Sequence, residues 1–158
     1  MIQEEKIIKE LHAGIRGERE DVDLLLWQAV LAFQDYPLRT SSGLPFSYRI
    51  KRKKNGEYSG EILVSRKEDS KTLTKSSVLL AFHTVLEKIR EKEASRQEMK
   101  EDMKLAVPEY SGPKAIGQIF GISYIYSLFW KLGLIEVPEK VADKLGQKEG
   151  HKYSGHFI

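Results

Sequence analysis

The residues best placed to do chemistry are the cations of SYRIKRKKNGEYSGEILVSRK, residues 47–67. Segment 49–67 holds seven Lys or Arg and two Glu, a net charge of +5, so the rest of the chain, whose total is +3, sums to −2. Cations on one face of a two-stranded ribbon can neutralise phosphates, and a ribbon of that width fits a DNA major groove. The same charges also suit a solvated face that discourages sheet aggregation. The predicted phosphate-contacting residues are Arg49, Lys51, Lys53, Arg66 and Lys67.

Alternating residue types predict that these cations lie on a β-hairpin. Phe46, Tyr48 and Ile50 would point to one side of a strand and the residues between them to the other. Ile62 and Val64 repeat the pattern after Asn55-Gly56, a common turn pair. Aromatic residues among the charges, namely Phe46, Tyr48 and Tyr58, suggest base stacking on single strands.

A second polar segment, EDSKTLTKSS, residues 68–77, predicts the start of a helix. Ser and Thr are favoured at this position because their hydroxyls cap the free backbone N–H groups. A helix start also attracts anions. Capping alone accounts for the hydroxyls; if the hairpin contacts DNA or RNA, Lys71 and Lys75 are predicted to add secondary phosphate contacts.

An apolar segment follows in GQIFGISYIYSLFWKLGLI, residues 117–135. The uncharged run 115–130 is 16 residues long, shorter than the roughly 20 that a spanning helix needs, so no membrane partner is expected. The segment resembles a helix-turn-helix in part, but its second helix is apolar where a recognition helix is polar, which favours a core helix. Alternatively, the helix forms a homo-oligomer or protein-interaction surface through Tyr124, Tyr126 and Trp130.

Catalytic constellations are not found in the sequence. The chain has no Cys and four His, and none of the His has a Ser or carboxylate partner at a characteristic spacing. The pair His151 and His156 gives a weak metal-binding signal. We therefore predict a non-enzymatic protein with no catalytic residue, cofactor or metal site. The charged N-terminus, MIQEEKIIKE, is not a signal peptide, and a cytoplasmic location is expected.

The apolar patterns together predict an α+β fold, mostly helical, with a central antiparallel β-hairpin or small sheet. Residues 1–158 are expected to form a single domain. Within it, 1–90 would hold the N-terminal helices, the basic hairpin and a helix; 91–107 a charged helical extension or linker; and 108–158 a helical C-terminal part.

The stretches YPLRTSSGLPFSYRI, SRKEDSKTLTKSSV and GPKAIGQIFGISYIYSLFWKLGLI resemble a family of uncharacterised bacterial proteins. In that family a Gly-x-x-Phe-x-Tyr strand, a Ser-x-Thr-x-Ser helix start and a Gly-Pro-Lys…Gly-x-Ser-Tyr segment recur in this order. The resemblance covers about residues 36–135. It implies a bacterial source but no established activity and no functional residues.

Overall fold

The computed structural model describes residues 3–67, 69–96 and 103–146. These residues form helices and an antiparallel sheet, which confirms the predicted α+β class with more helix than strand. The helices are α1 (Gln3–Arg16), α2 (Val22–Ala32), α3 (Lys75–Ala94), α4 (Ile122–Lys131) and α5 (Glu139–Leu145). The strands are β1 (Leu38–Arg39), β2 (Pro45–Arg52), β3 (Tyr58–Arg66) and β4 (Ser70–Thr74).

The sheet follows the chain order β1-β2-β3-β4, and every neighbouring pair is antiparallel. Tyr48 lies opposite Val64 and Ile50 opposite Ile62, so the predicted hairpin and its alternation are confirmed. Because residues opposite each other share a face, the buried apolar side chains of the sheet point to one side. They are Leu38, Phe46, Tyr48, Ile50, Ile62, Val64 and Leu73.

Helices cover this apolar face and complete the core. The α3 helix begins where predicted, since the Thr74 hydroxyl accepts a hydrogen bond from the Ser77 amide at 3.1 Å. Its buried side chains include Val78, Phe82 and Ile89. Helix α4 is buried along almost its whole length, which confirms the expectation of a core helix. The buried side chains of sheet and helices form one continuous hydrophobic cluster.

Local structure on both sides of α3 differs from the sequence interpretation. Pro113 starts only a short 3₁₀ turn, Pro113–Ala115, and α4 begins at Ile122, so the described residues lack the first helix of a helix-turn-helix. The segment LIEV, residues 134–137, contains a single parallel bridge, between Glu136 and Glu109. Segment 70–74, assigned in the sequence to a helix start, is the edge strand β4.

Charged segment 91–107 is helical only as far as Ala94, and residues 97–102 lie outside the described part of the chain. The segment beyond them returns to α3. The amide of Ala106 donates to the Glu93 carboxylate at 2.6 Å, and Arg96 donates to the carbonyl of Lys104. Leu105 is buried in the core. Residues 103–107 therefore pack against the C-terminal end of α3.

A histidine links the first helix to the end of α4. His12 Nε2 donates to the carbonyl of Leu132 at 2.8 Å. Burial lowers the pKa of His12, and the nearby charge of Arg16 lowers it further, although the hydrogen bond to Leu132 acts in the opposite direction. The folded state therefore favours the neutral imidazole.

We expect His12 to make the fold sensitive to mild acid. An unfolded His titrates near pH 6.5, and a lowered folded pKa means that its stabilisation is complete above that pH and is lost as pH falls through the folded value. The melting temperature of the wild type, followed by circular dichroism from about pH 7.5 down to about pH 4.5, should fall more steeply than that of His12→Gln, which keeps a neutral donor. Parallel curves would show that His12 is not the sensitive group.

Candidate nucleic-acid interface

The sheet leaves one face toward solvent, which we call the open face. Its members lie opposite one another across the strands, as Arg49 lies opposite Leu63 and Leu63 opposite Thr72. Nearly all of its side chains are exposed, and Ser47 is partly exposed. The open face consists of Ser47, Arg49 and Lys51 of β2; Glu61, Leu63 and Ser65 of β3; and Ser70, Thr72 and Thr74 of β4. It therefore presents cations and hydroxyls around one leucine.

The two cations of the open face have acidic neighbours at the surface. Arg49 Nε donates to Asp35 Oδ1 at 2.7 Å, and Lys51 Nζ lies 3.5 Å from Glu61 Oε2. The hydrogen bond to Asp35 raises the pKa of Arg49. Both cations are largely exposed, with side-chain exposures of 74% and 58%. Exposed ion pairs contribute little to stability, so an incoming phosphate can replace either carboxylate.

The hairpin tip carries two further cations, Lys53 and Lys54. Both are exposed, and neither forms an ion pair with a described residue. The turn that holds them is closed by the amide of Lys53, which donates to the carbonyl of Glu57 at 2.7 Å. Gly56 has a φ of +88°, a conformation that glycine adopts without strain. Lys54 was not among the predicted contact residues, although its place in KRKKNG was a visible signal.

Arg52 and Tyr58 lie opposite each other on the hairpin, and their side chains are in contact. The Arg52 guanidinium lies 4.1 Å from the centroid of the Tyr58 ring, and its Nη2 donates to the Tyr58 hydroxyl at 2.8 Å. Arg52 Nη1 also donates to the carbonyl of Gly56 at 2.7 Å. These contacts stabilise the hairpin tip, and the Arg52 guanidinium covers one face of the Tyr58 ring.

Arg66 lies on the other face of the sheet from Arg49 and Lys51. Its partner across the sheet is Phe46, whose side chain is buried against the helices. Arg66 donates from Nε and Nη2 to the Asp69 carboxylate at 2.8 and 2.6 Å, and this hydrogen bonding raises its pKa. The strand register thus separates Arg66 from the cations with which the sequence grouped it.

The remaining predicted cations lie at the base of the hairpin and along β4. Lys67 and Lys71 are exposed, and Lys71 lies opposite Val64, on the helix side of the sheet. Lys75 Nζ lies 4.8 Å from the centroid of the Trp27 ring, a cation–π contact. Phe46, opposite Arg66, lies seven residues before Lys53, so at about 3.4 Å per residue the base lies about 24 Å from the tip. The seven predicted cations therefore do not form a single cluster.

The aromatic residues of the hairpin do not form a stacking surface. Phe46 and Tyr48 are buried, and the Tyr48 hydroxyl donates to the carbonyl of Val30 at 2.6 Å. Burial raises the pKa of Tyr48. The expectation that these two rings stack on bases is therefore wrong, because the alternation that makes the strand directs them into the core.

The aromatic side chains of α4 are buried as well. Tyr126 is fully buried, its hydroxyl donates to the carbonyl of Tyr110 at 2.5 Å, and burial together with the charge of Glu109 raises its pKa to about 12. Tyr124 packs edge-on against Phe46 with ring centroids 5.0 Å apart. Tyr124, Tyr126 and Trp130 therefore cannot serve as the exposed contact surface that the sequence suggested.

Within residues 3–67, 69–96 and 103–146 no three His, Cys, Asp or Glu side chains converge on a point that could hold a metal ion. His151 and His156 lie outside these ranges. No helix in the same ranges is long and apolar enough to cross a bilayer.

None of the protein-family models matches the chain, and comparison with curated proteins and with solved structures gives no match either.

Proposed function

We propose that this protein binds nucleic acid through the phosphate backbone, using the open face and the hairpin tip. The observation that supports this most strongly is the row of exposed cations on one strand and its turn, Arg49, Lys51, Lys53 and Lys54. Two of them are opposed only by surface carboxylates, and the other two have no described ion pair. Such cations release counterions when they meet phosphates, which is the main source of affinity in non-specific binding.

The chemistry of the open face favours contacts to phosphate and sugar over recognition of bases. Hydroxyls of Ser65, Ser70 and Thr72 lie on the same face as Arg49 and Lys51, and hydroxyl groups are common donors to phosphate oxygens. Of the strand aromatics that could have stacked on unpaired bases, Phe46 and Tyr48 are buried, and Arg52 covers one face of the exposed Tyr58 ring. We therefore propose binding with little sequence preference and with no advantage for single strands over duplexes.

The direct test is fluorescence anisotropy with labelled duplex DNA, single-stranded DNA and RNA over a salt series. If four cations contact phosphates, the logarithm of the duplex affinity should fall against the logarithm of salt with a slope of roughly −3 to −4. Sequence changes in the duplex should have little effect. Absence of binding to all three probes at low salt would contradict the proposal.

A further inference from the structure

The two edges of the sheet differ in the hydrogen bonding of their outward backbone groups. Beyond the short β1, the edge of β2 is closed by the segment after α2. The carbonyl of Tyr48 accepts a hydrogen bond from the amide of Asp35 at 2.8 Å. The amide of Ile50 donates to the side-chain oxygen of Gln34 at 2.9 Å. At this edge, therefore, at least two outward backbone groups have partners.

The opposite edge is β4, and the register shows which of its backbone groups face outward. The amide of Arg66 donates to the carbonyl of Asp69 at 3.0 Å, so this pair is hydrogen-bonded. Hydrogen-bonded and non-bonded pairs alternate along an antiparallel ladder. Lys71 and Leu73 therefore bond to β3, while Ser70 and Thr72 direct their N–H and C=O groups away from the sheet.

These outward groups lie at the surface. Every side chain of β4 except Leu73 is exposed. No described residue outside the sheet forms a backbone hydrogen bond to Ser70 or Thr72. A free strand edge of this kind is a template for an added strand unless something protects it.

The surroundings of the edge supply two kinds of side-chain contact. Lys71 on the strand and Lys67 in the preceding turn are exposed cations. Phe120 is 67% exposed and directly precedes Gly121, which packs against the side chain of Leu73. The residue that follows this exposed phenylalanine thus contacts β4 on its helix side, the same side as Lys71.

We propose that the β4 edge is a strand-addition site for an extended acidic peptide segment of another protein. The peptide backbone would pair with Ser70 and Thr72, its carboxylates would meet Lys67 and Lys71, and an apolar side chain would cover Phe120. The proposal does not depend on nucleic-acid binding, because the cations of the hairpin tip take no part in it.

Charge disfavours a second copy of this chain as the occupant. In an antiparallel pairing of two β4 strands about Thr72, Lys71 of one copy lies opposite Leu73 of the other. The two Lys71 side chains then become diagonal neighbours about 7–8 Å apart on one face, and like charges at that position repel. An acidic segment meets the same cations with attraction.

Amide hydrogen exchange, measured by NMR on the full chain, tests the site with a designed peptide. The probe is the octapeptide Glu-Thr-Val-Thr-Glu-Thr-Val-Thr, which puts Glu and Val on one face; Lys in place of Glu gives the matched control. In the free protein the Thr72 amide should exchange quickly, while those of Lys71 and Leu73 are protected. At millimolar acidic peptide, Thr72 exchange should slow at least about tenfold, and the lysine peptide should have no such effect.

Three variants test the β4 edge without disturbing the fold. Thr72→Pro removes an N–H that the β3–β4 ladder does not use, so the protein should fold but lose peptide-dependent protection of Ser70 and its neighbours. Thr72→Val keeps the N–H and should behave as wild type. Lys71→Glu should reverse the preference toward the lysine peptide.

Four results would overturn the proposal. Protection of Thr72 in the free protein at every concentration would show that the edge is covered by this chain itself. Protection that grows with protein concentration would show pairing between copies. No effect of the acidic peptide would mean that the edge does not accept such a strand, and equal protection by both peptides would remove the role of charge.

Discussion

Replacing Gly121 with alanine is expected to lower the free energy of unfolding by about 2–4 kcal/mol. Gly121 has a φ of +78°, where a residue with a Cβ is strained. A Cβ at this position would lie 2.2 Å from Leu73 Cδ2 and 2.9 Å from Leu73 Cδ1. The Leu73 side chain is buried and would have to shift to admit the new methyl group, so steric overlap adds to the backbone strain.

Gly43 provides the matched control for this substitution. Its φ is +90°, and nothing lies within 4 Å of the position that a Cβ would take. Gly43→Ala should therefore cost only the backbone strain, about 1–2 kcal/mol. Urea denaturation followed by circular dichroism measures both. In a Leu73→Ala background the cost of Gly121→Ala should shrink toward that of Gly43→Ala, and equal costs in the wild-type background would show that the close approach to Leu73 is unimportant.

The second large effect concerns affinity for nucleic acid. The triple variant Lys51→Gln, Lys53→Gln and Lys54→Gln should bind duplex DNA about 10²- to 10³-fold more weakly at 0.1 M salt, since each lost phosphate contact removes about tenfold there. All three side chains are exposed, so the fold should survive the change. Anisotropy measures the affinity, and circular dichroism checks the fold.

The control is a second triple variant that has the same net charge but carries its three substitutions elsewhere on the protein. Lys92, Lys140 and Lys144 are exposed on the helices α3 and α5. Changing all three to Gln alters the total charge by the same amount, and we expect it to weaken duplex binding less than about threefold. Equal losses in the two triple variants would mean that the whole-chain charge, and not the hairpin tip, attracts the nucleic acid.

Sequence patterns were sufficient for the longer elements and insufficient for the edge strand. Period-two alternation fixed β2, β3 and the identity of their buried face, because core-facing residues there are consistently apolar. Strand β4 has a single buried residue, Leu73, among Ser, Thr and Lys, so it shows no apolar alternation. Its last residue, Thr74, also caps α3, and that capping signal masked the strand.

The candidate site was predictable in composition but not in arrangement. The excess of Lys and Arg can be counted in the sequence, whereas the face to which Arg66 belongs depends on its pairing with Phe46. Likewise, an all-round apolar helix is buried, but its pattern does not distinguish the chain's own core from a partner. In the structure α4 packs into the chain's own core. The Tyr126 hydroxyl donates a hydrogen bond to the carbonyl of Tyr110, and Ser127 Oγ donates to the carbonyl of Arg39 at 2.7 Å.

The claim that the hairpin tip contacts phosphates is tested most directly by comparing the salt dependence of duplex binding for the wild type and the Lys51, Lys53 and Lys54 triple glutamine variant. Each phosphate contact contributes about 0.9 to the log–log slope for B-DNA. The slope of the variant should therefore be shallower than that of the wild type by roughly 2–3. Equal slopes for the two proteins would show that these lysines contact no phosphates and would contradict the proposed function.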